Sequence, residues 1–439
     1  MRYSQPIAWA SPAVTPLKRS AQPLRWNLLA TTPRDMPELY LIAIILLGIV
    51  SFAIFSRWIE DSIITLPMFF TAFGWLLVRD EAEHVPMKIE HETIHAIAEI
   101  TLILVLFSDA SRIRFRELAK SYAIPTRMLL VGMPLTILLG TLLAHWVSPD
   151  EPWVFAFLVA AILTPTDAAL GQTVVTNQSV PSPLRQGINV ESGLNDGLAL
   201  PFVIIAGLLA TQQFGIEVED VPDNLFLFSL MQVTLGPLAG IVSGYVFARI
   251  MDVVIEARLI TTTFQGLYFL SVAFLTFTLA ELINGNGFIA AFVGGLMFGN
   301  TLKNSSTFIT EFMESEGQLL TIFTFIIFGA VIVPIGLAHA NWKTLVLAIG
   351  FLSVVRILPV FLSLSGVKLT AYEKLFLGWF GPRGLASILF ALLVVKRFFV
   401  PGMEELLACV VLTVTLSIVL HGVTAKPMSA RFRHSQSSE

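Results

Sequence analysis

Charged residues are scarce in this sequence. Asp, Glu, Lys and Arg together make up 13% of the 439 residues, whereas a soluble globular domain carries about 25%. A soluble chain of this length would need more polar surface to face water, so the composition excludes a soluble globular protein. There is also a single cysteine, Cys409, which excludes a disulfide framework or a cysteine metal site within one chain.

Long polar stretches are missing as well, because the hydrophobic residues, 55% of the chain, are gathered into continuous runs. Each run has roughly 18 to 25 residues, the length that crosses a bilayer as a helix. Backbone polar groups in lipid must be satisfied within helices or closed barrels, and continuous rather than alternating apolarity excludes a barrel. The sequence therefore predicts an all-α polytopic membrane protein.

About thirteen transmembrane helices are predicted, joined by short loops. The predicted spans, numbered 1 to 13, are 37–56, 61–78, 94–110, 124–147, 152–176, 188–213, 225–250, 262–282, 285–302, 318–337, 341–364, 372–395 and 402–425. Residues 1–36 contain five prolines and no apolar run, and we interpret them as a flexible N-terminal tail. Residues 426–439 are predicted to form a C-terminal tail.

Basic residues predict the orientation of these spans, because they prefer the cytoplasmic side. Four basic residues follow span 3 and three lie in the C-terminal tail, whereas the loops after spans 4, 6 and 8 contain none. We therefore expect the C-terminus in the cytoplasm and the N-terminus outside. The basic residues of the N-terminal tail favour the opposite orientation, but the internal loops agree with one another.

Spans 5 and 12 are predicted to be interrupted near their middle. Pro165 in span 5 lacks a backbone donor and disfavours helix before it, and span 12 contains the segment 381–384, Gly-Pro-Arg-Gly. With span 7 as a linker, spans 1–6 and 8–13 form two inverted six-helix repeats, and each break falls in the fifth helix. Matching breaks in inverted repeats indicate the binding site of a secondary transporter, although proline and glycine are common in membrane helices generally.

Four charged side chains are predicted near mid-membrane, where a charge is costly and usually functional. Asp167 and Arg383 lie on the broken spans 5 and 12, and Glu191 and Asp196 lie on span 6. Three acids against one base leave uncompensated negative charge, so a carboxylate there takes up a proton readily unless a cation replaces it. The alternative is that all four are structural and pair as two salt bridges.

Helical spacing predicts one oxygen-rich stripe on span 6. Ser192 and Asp196 are four residues apart and therefore share a face. Together with Asp167 and a carbonyl freed by the break in span 5, for which we choose Thr166, they predict an all-oxygen site of the kind that hard cations prefer. Competition between a proton and a cation for Asp196 would be the minimal chemistry of an exchanger.

A second stripe of span 6 carries Glu191 and Asn195, again four residues apart. From this stripe Glu191 is expected to pair with Arg383 and so to tie span 6 to span 12. Two further charged residues, Arg356 in span 11 and Glu281 in span 8, are expected near helix ends, where they can snorkel to the interface.

Over about 37–425, and most closely over residues 161–201 and 378–387 (GWFGPRGLAS), the chain resembles the monovalent cation/proton antiporters, in particular the electroneutral NhaP/NHE type. The specific combination is a Thr-Asp at a broken helix followed by an Asn-Asp pair on the next helix. The resemblance implies a homodimer with a transporter domain at 37–425. It implies a core at about 124–213 and 341–425 that moves against a dimerisation part at about 37–110 and 225–337.

The resemblance also implies residue roles and a place in the cell. It implies that Asp196 is the shared cation and proton site. It also implies that the coordination is completed by Asp167, Ser192 and the Thr166 carbonyl. Asn195 would stabilise the site, and Glu191 and Arg383 would form a structural pair. It implies one-for-one exchange of Na⁺ (or Li⁺ or K⁺) for H⁺ without a cofactor and without nucleic acid, in the service of pH homeostasis, in the inner membrane of a bacterium with the C-terminus cytoplasmic. Ala168 stands where many relatives have proline.

Three alternatives remain, a membrane metalloprotease, a cation channel and a carrier for organic anions. His91, Glu92 and His95 match the zinc metalloprotease pattern H-E-x-x-H and predict a membrane metalloprotease, but a catalytic zinc needs a third protein ligand, for which only sequence neighbours such as His84 are candidates. A cation channel would need a filter loop, and the sequence shows no such signature. A carrier for organic anions would need several basic residues at the site, where only Arg383 is predicted.

Overall fold

The computed structural model describes residues 36–60, 62–79, 91–115, 123–215, 225–303, 318–398 and 400–436. All regular secondary structure in these ranges is helical, as predicted. Eight of the described helices are at least 18 residues long and apolar enough to cross a membrane. Shorter apolar helices accompany them at Leu66–Val78, Trp153–Leu163 and Gly287–Thr301. The polytopic all-α class is thus confirmed, and the count of thirteen stays a prediction.

The helices coincide with the predicted spans, whose numbers are kept as labels. Span 1 is Met36–Glu60, span 2 is Leu66–Arg79, span 3 is His91–Arg112, span 4 is Ala123–Arg127 with Met133–Val147, span 5 is Trp153–Leu163 with Ala168–Val175, and span 6 is Ser182–Gln213. Span 7 is Leu225–Glu256, span 8 is Thr262–Leu282, span 9 is Gly287–Thr301, span 10 is 318–327 with Val333–Ala338, span 11 is Trp342–Leu352 with Val354–Ser363, span 12 is Ala371–Trp379 with Leu385–Phe398, and span 13 is Met403–Gln436.

The chain divides into two compact units after Ser51. In the first unit the structure describes only the beginning of span 1. The second unit, Phe52–Glu439, holds the rest, and two groups of helices pack within it. Spans 4, 5, 6, 11, 12 and 13 contact one another, and spans 3, 7, 8 and 9 contact one another. The breaks of spans 5 and 12 both belong to the first of these groups.

Both predicted breaks are present. Span 5 stops at Leu163 and resumes at Ala168, and span 12 stops at Trp379 and resumes at Leu385. The two interruptions meet, because the backbone N–H of Asp167 donates to the carbonyl of Pro382 at 2.8 Å. Backbone groups that a continuous helix would pair internally are therefore paired between the two broken spans.

Three further irregularities were not predicted. Spans 4 and 10 each contain a π-helical turn, at Met128–Gly132 and Phe328–Ile332, and a proline follows each turn within two residues. Proline removes one helical hydrogen bond and crowds the carbonyl four residues before it, and a wider turn relieves that crowding. Span 11 is interrupted at Ser353, whose φ and ψ are −119° and −98°.

Span 13 is longer than predicted. The sequence suggested an end at 425, but the helix continues to Gln436 and includes Pro427. The continuation has an apolar reason, since Phe432 is buried and packs edge-on against Phe376 of span 12, with ring centroids 5.0 Å apart. Most of the predicted C-terminal tail is therefore a continuation of the last helix.

Spans 3 and 9 approach each other backbone to backbone. A Cβ on Gly295 would overlap the carbonyl of Phe107, and a Cβ on Gly299 would overlap the carbonyl of Ser111. Only glycine permits this close helix contact, which is typical of membrane helix packing. The contact fixes the stretch of span 3 that carries Asp109.

Candidate functional site

Asp167 lies where the two broken spans cross. Its carboxylate accepts hydrogen bonds from the backbone N–H of Leu385 at 2.7 Å and of Leu170 at 3.3 Å. These donors belong to the first turns of the two resumed helices, so two helix N-termini, each with a partial positive charge, face one carboxylate. Gly384 makes the approach possible, because a Cβ there would overlap the Asp167 carboxylate.

The Thr166 hydroxyl connects span 5 to span 6. It accepts a hydrogen bond from the Asn195 amide at 2.6 Å, lies 3.0 Å from the Ser192 hydroxyl and is 3.3 Å from the Glu191 carboxylate, to which it donates. All four side chains are buried. The predicted residues Thr166, Glu191, Ser192 and Asn195 therefore form one polar cluster, although the two predicted stripes of span 6 both reach the same hydroxyl.

The predicted pairing of Glu191 with Arg383 was wrong. Glu191 forms a bidentate ion pair with Arg356, with Nη1–Oε1 at 2.8 Å and Nη2–Oε2 at 2.9 Å. Arg356 is 3% exposed, so the expectation that it snorkels was wrong as well. Helical phase predicts the direction of Glu191 but not which neighbouring helix supplies the arginine. A side chain at Gly381 would collide with the Arg356 guanidinium, so this glycine admits the arginine.

Arg383 is fully buried and binds carbonyl oxygens. Its Nη1 donates to Gly381 at 3.2 Å and to Pro165 at 3.4 Å, and thus bridges the two breaks. In the described part of the chain, Nε and Nη2 have no hydrogen-bond partner. Its backbone N–H donates to the Ser417 hydroxyl of span 13 at 2.7 Å.

Asp196 has no ion-pair or hydrogen-bond partner among the described residues, and its buried Oδ1 is unpaired. It is partly exposed and lies within electrostatic range of three other acids, Asp167, Asp109 and Glu191. Asp167 is offset by helix N-termini, Glu191 by Arg356, and Asp109 by the nearby Arg112. Asp196 is therefore the carboxylate of this cluster whose charge the protein leaves uncompensated.

Asp109 of span 3 is a site residue that the sequence interpretation missed. It lies within electrostatic range of both Asp167 and Asp196. The available signal was an acid inside an apolar run, but Asp109 precedes the helix end at Arg112 by less than one turn, where an acid is ordinarily solvated. Only the packing of span 3 beside span 6 reveals its position.

Two other sets of residues were singled out from the sequence, the His91–His95 motif and Glu281. The segment with His91 and His95 begins a helix, but the side chains of this motif lie outside the described residues. Among the residues that the structure describes, no group of three His, Cys, Asp or Glu side chains could hold a metal ion. Glu281 accepts a hydrogen bond from the Gly287 N–H at 2.7 Å at the start of span 9, so it has a local structural role.

Fold and site together define a membrane transporter with buried carboxylates at crossed broken helices. A sequence profile described as "Sodium/hydrogen exchanger, transmembrane" matches residues 28–431. The chain belongs to this sodium/hydrogen exchanger family. It is a monovalent cation/proton antiporter and not an enzyme, and the metalloprotease and channel alternatives have no support.

Similar proteins include two antiporters with different named cations. The Na⁺/H⁺ antiporter NhaH of Halobacillus dabanensis is 29% identical over 343 residues, covering 75% of this chain and 81% of its own length. The K⁺/H⁺ antiporter NhaP2 of Shewanella oneidensis is 22% identical over 339 residues, covering 76% of this chain and 57% of its own length.

The fold is similar to a solved structure of the sodium proton antiporter MjNhaP1 from Methanocaldococcus jannaschii. The TM-score is 0.73 at 21% sequence identity, with 89% of this chain and all of that chain covered. This likeness shows the fold alone and agrees with the helical architecture described above.

Proposed function

We propose that this antiporter exchanges Na⁺ for H⁺ at Asp196. The observation that carries the proposal is the uncompensated Asp196 carboxylate beside three other acids. Na⁺ is preferred over K⁺ because the relative named for Na⁺ is more similar than the one named for K⁺. K⁺ and Li⁺ are the alternative cations.

The proposed ligands are all oxygen atoms. Asp196 supplies the charge, and Asp167 and Ser192 lie in the same cluster. The Thr166 carbonyl is available, because no described backbone N–H bonds to it at the break. Such a set suits a hard cation. We add Asp109, the acid of span 3, as a further negative charge that attracts the cation towards the site.

The proposed exchange is a competition for one carboxylate. In the low dielectric of the cluster, Asp196 is unfavourable as a bare anion, so it holds either a proton or a cation. Asn195 beside it is neutral and carries no proton that could be exchanged. One proton therefore leaves for each Na⁺ that binds, and the exchange is electroneutral.

The remaining residues are proposed to support the site. Asn195 and Glu191 hold the Thr166 hydroxyl in place, and Arg383 links the two breaks.

The group of spans 4–6 and 11–13 is proposed as the core that moves, and the parts at 37–110 and 225–337 as the dimerisation part of a homodimer. We further propose a bacterial plasma membrane, a cytoplasmic C-terminus, an outside N-terminus and a role in pH homeostasis.

The test is proton movement in sealed proteoliposomes with an acid interior. Na⁺, Li⁺ or K⁺ is added outside, and valinomycin with potassium clamps the voltage in the Na⁺ and Li⁺ trials. We expect Na⁺ to collapse the pH gradient with wild type and with Asp252→Asn, a matched variant of a buried acid on span 7 that binds the Lys303 N–H. Asp196→Asn should remain folded and show no exchange.

Three outcomes would contradict the proposal or a part of it. Exchange at the wild-type rate by Asp196→Asn would remove Asp196 from the site. A rate that changes several-fold when the potassium gradient sets a membrane potential would contradict electroneutral exchange. A stronger response to K⁺ than to Na⁺ would replace the proposed cation.

A further inference from the structure

Span 13 presents three polar side chains to the break in span 12. Ser417, His421 and Thr424 are spaced by four and three residues and so share a helix face. His421 Nε2 lies 2.8 Å from the Trp379 carbonyl, the Ser417 hydroxyl accepts the Arg383 N–H at 2.7 Å, and the Thr424 hydroxyl accepts the Trp379 indole N–H at 2.9 Å. We call Ser417, His421 and Thr424 the span 13 clamp.

The clamp binds backbone groups that the break leaves without helical partners. The carbonyl of Trp379 ends the first half of span 12, and the N–H of Arg383 precedes the second half. Buried backbone groups of this kind need partners. The Trp379 carbonyl accepts the Gly381 N–H at 2.8 Å, and span 13 supplies it with a second partner, His421, and supplies the Arg383 N–H with the Ser417 hydroxyl. The His421 ring also stacks on Trp379, with centroids 5.2 Å apart and planes at 29°.

The opposite side of the same short segment holds Asp167. The Pro382 carbonyl accepts the Asp167 N–H, and the Leu385 N–H donates to the Asp167 carboxylate. Along this stretch of chain, Trp379 and Arg383 contact span 13, and Pro382 and Leu385 contact Asp167, so the two kinds of contact alternate. A shift of the segment away from span 13 would displace the two hydrogen-bond partners that Pro382 and Leu385 provide to Asp167.

We propose that the span 13 clamp is a positioning device for the cation site, and that His421 is its main residue. Among the described contacts His421 has none with a proposed cation ligand, Asp167 included, and it acts through the segment 380–384. The inference rests on the proposed function, because it assigns Asp167 to cation binding.

The chemistry of the His421 contact determines which replacement can substitute for it. The Trp379 carbonyl can only accept, so this contact is a hydrogen bond in the neutral tautomer whose proton is on Nε2, and in that tautomer Nδ1 accepts from the Ser417 hydroxyl. Nδ1 lies 2.9 Å from the Ser417 carbonyl and 3.2 Å from the Ser417 hydroxyl. Glutamine places an amide N–H near the position of Nε2, whereas leucine has a similar size and no donor.

The experiment compares His421→Leu with His421→Gln in proteoliposomes and measures the apparent KM for Na⁺ and the maximal rate per folded protein. His421→Leu should raise the KM by about tenfold, the equivalent of one hydrogen bond, and His421→Gln should restore most of the wild-type value. Thr413→Val is the matched control, because Thr413 is equally buried on span 13 but bonds only to the Cys409 carbonyl of its own helix. Its KM should equal that of wild type.

The outcomes separate the clamp from the proposed function. Wild-type exchange together with an unchanged KM in His421→Leu would overturn the clamp alone, as would a Gln variant that behaves like the Leu variant. Wild type without cation-driven exchange would overturn both inferences. If His421→Leu does not fold, Ser417→Ala removes the second contact of the clamp with a smaller change, and an unchanged KM in that variant would decide against the proposal.

Discussion

The Glu191–Arg356 ion pair makes a prediction that separates the structure from the pairing inferred from sequence. Arg356→Met removes the guanidinium and keeps an unbranched side chain. It leaves the buried Glu191 with the weaker hydrogen bonds from Thr166 and Asn195, at 3.3 and 3.2 Å. The two lost bonds are charge-assisted, at 2.8 and 2.9 Å, between side chains that are 3% and 1% exposed.

The expected loss is large because one charge stays buried. Removing one partner of a buried ion pair costs about 3–5 kcal/mol of unfolding free energy. Glu191→Gln together with Arg356→Met removes both charges, so the double variant should be more stable than the sum of the single losses predicts, by roughly 2 kcal/mol. Arg383 makes no described hydrogen bond to Glu191 and interacts with it only by longer-range attraction, so Glu191→Gln and Arg383→Met should couple less strongly than the first pair.

The assay is a pair of double-mutant cycles on the purified protein, read by equilibrium unfolding in mixed detergent micelles. The first cycle combines Glu191→Gln with Arg356→Met, and the second combines Glu191→Gln with Arg383→Met. A larger coupling in the second cycle would refute the pairing described here and restore the one inferred from sequence.

Three further predictions concern packing and surface charge. Gly384→Ala should abolish exchange in folded protein, because the added methyl overlaps the Asp167 carboxylate, and transport by this variant at the wild-type rate would contradict the described approach. Gly171→Ala should be tolerated and should raise the unfolding free energy by about 0.5–1 kcal/mol, because its Cβ would meet only ordinary contacts; a loss of stability on thermal unfolding would argue against that. Lys396→Gln should change the unfolding free energy by less than about 1 kcal/mol, since its ion pair with Glu99 is 47% and 34% exposed, and a larger loss in the same measurement would show that the pair is not screened.

The breaks in spans 5 and 12 were predictable because their cause is local. Pro165 and Pro382 each lack a backbone donor, and Gly381 and Gly384 lie within the second break, so both breaks can be inferred from residue type. The π-helical turns in spans 4 and 10 were not predicted, although a proline follows each of them. Proline indicates strain in a helix, but whether the helix breaks, bends or widens depends on the neighbours that receive the freed carbonyl.

The partner of Glu191 was not predictable from periodicity. Two arginines, Arg356 and Arg383, lie on different spans, and a single sequence contains no distance between helices. The span that supplies the partner depends on how close Gly381 lets span 11 approach the break. Asp109 was missed for the same reason, because its role depends on the packing of span 3 against another helix and not on its own segment.

The glycine contacts between spans 3 and 9 have a mechanical consequence. Asp109 lies between Phe107 and Ser111, the two residues whose backbone touches Gly295 and Gly299, so its position is fixed relative to span 9. Asp196 and Asp167 are anchored in the other group of helices. If one group slides past the other, the distance from Asp109 to a bound cation changes, and so does their electrostatic attraction. The displacement and the binding free energy of the cation are therefore thermodynamically linked. It follows that the affinity for the cation depends on the relative position of the two groups.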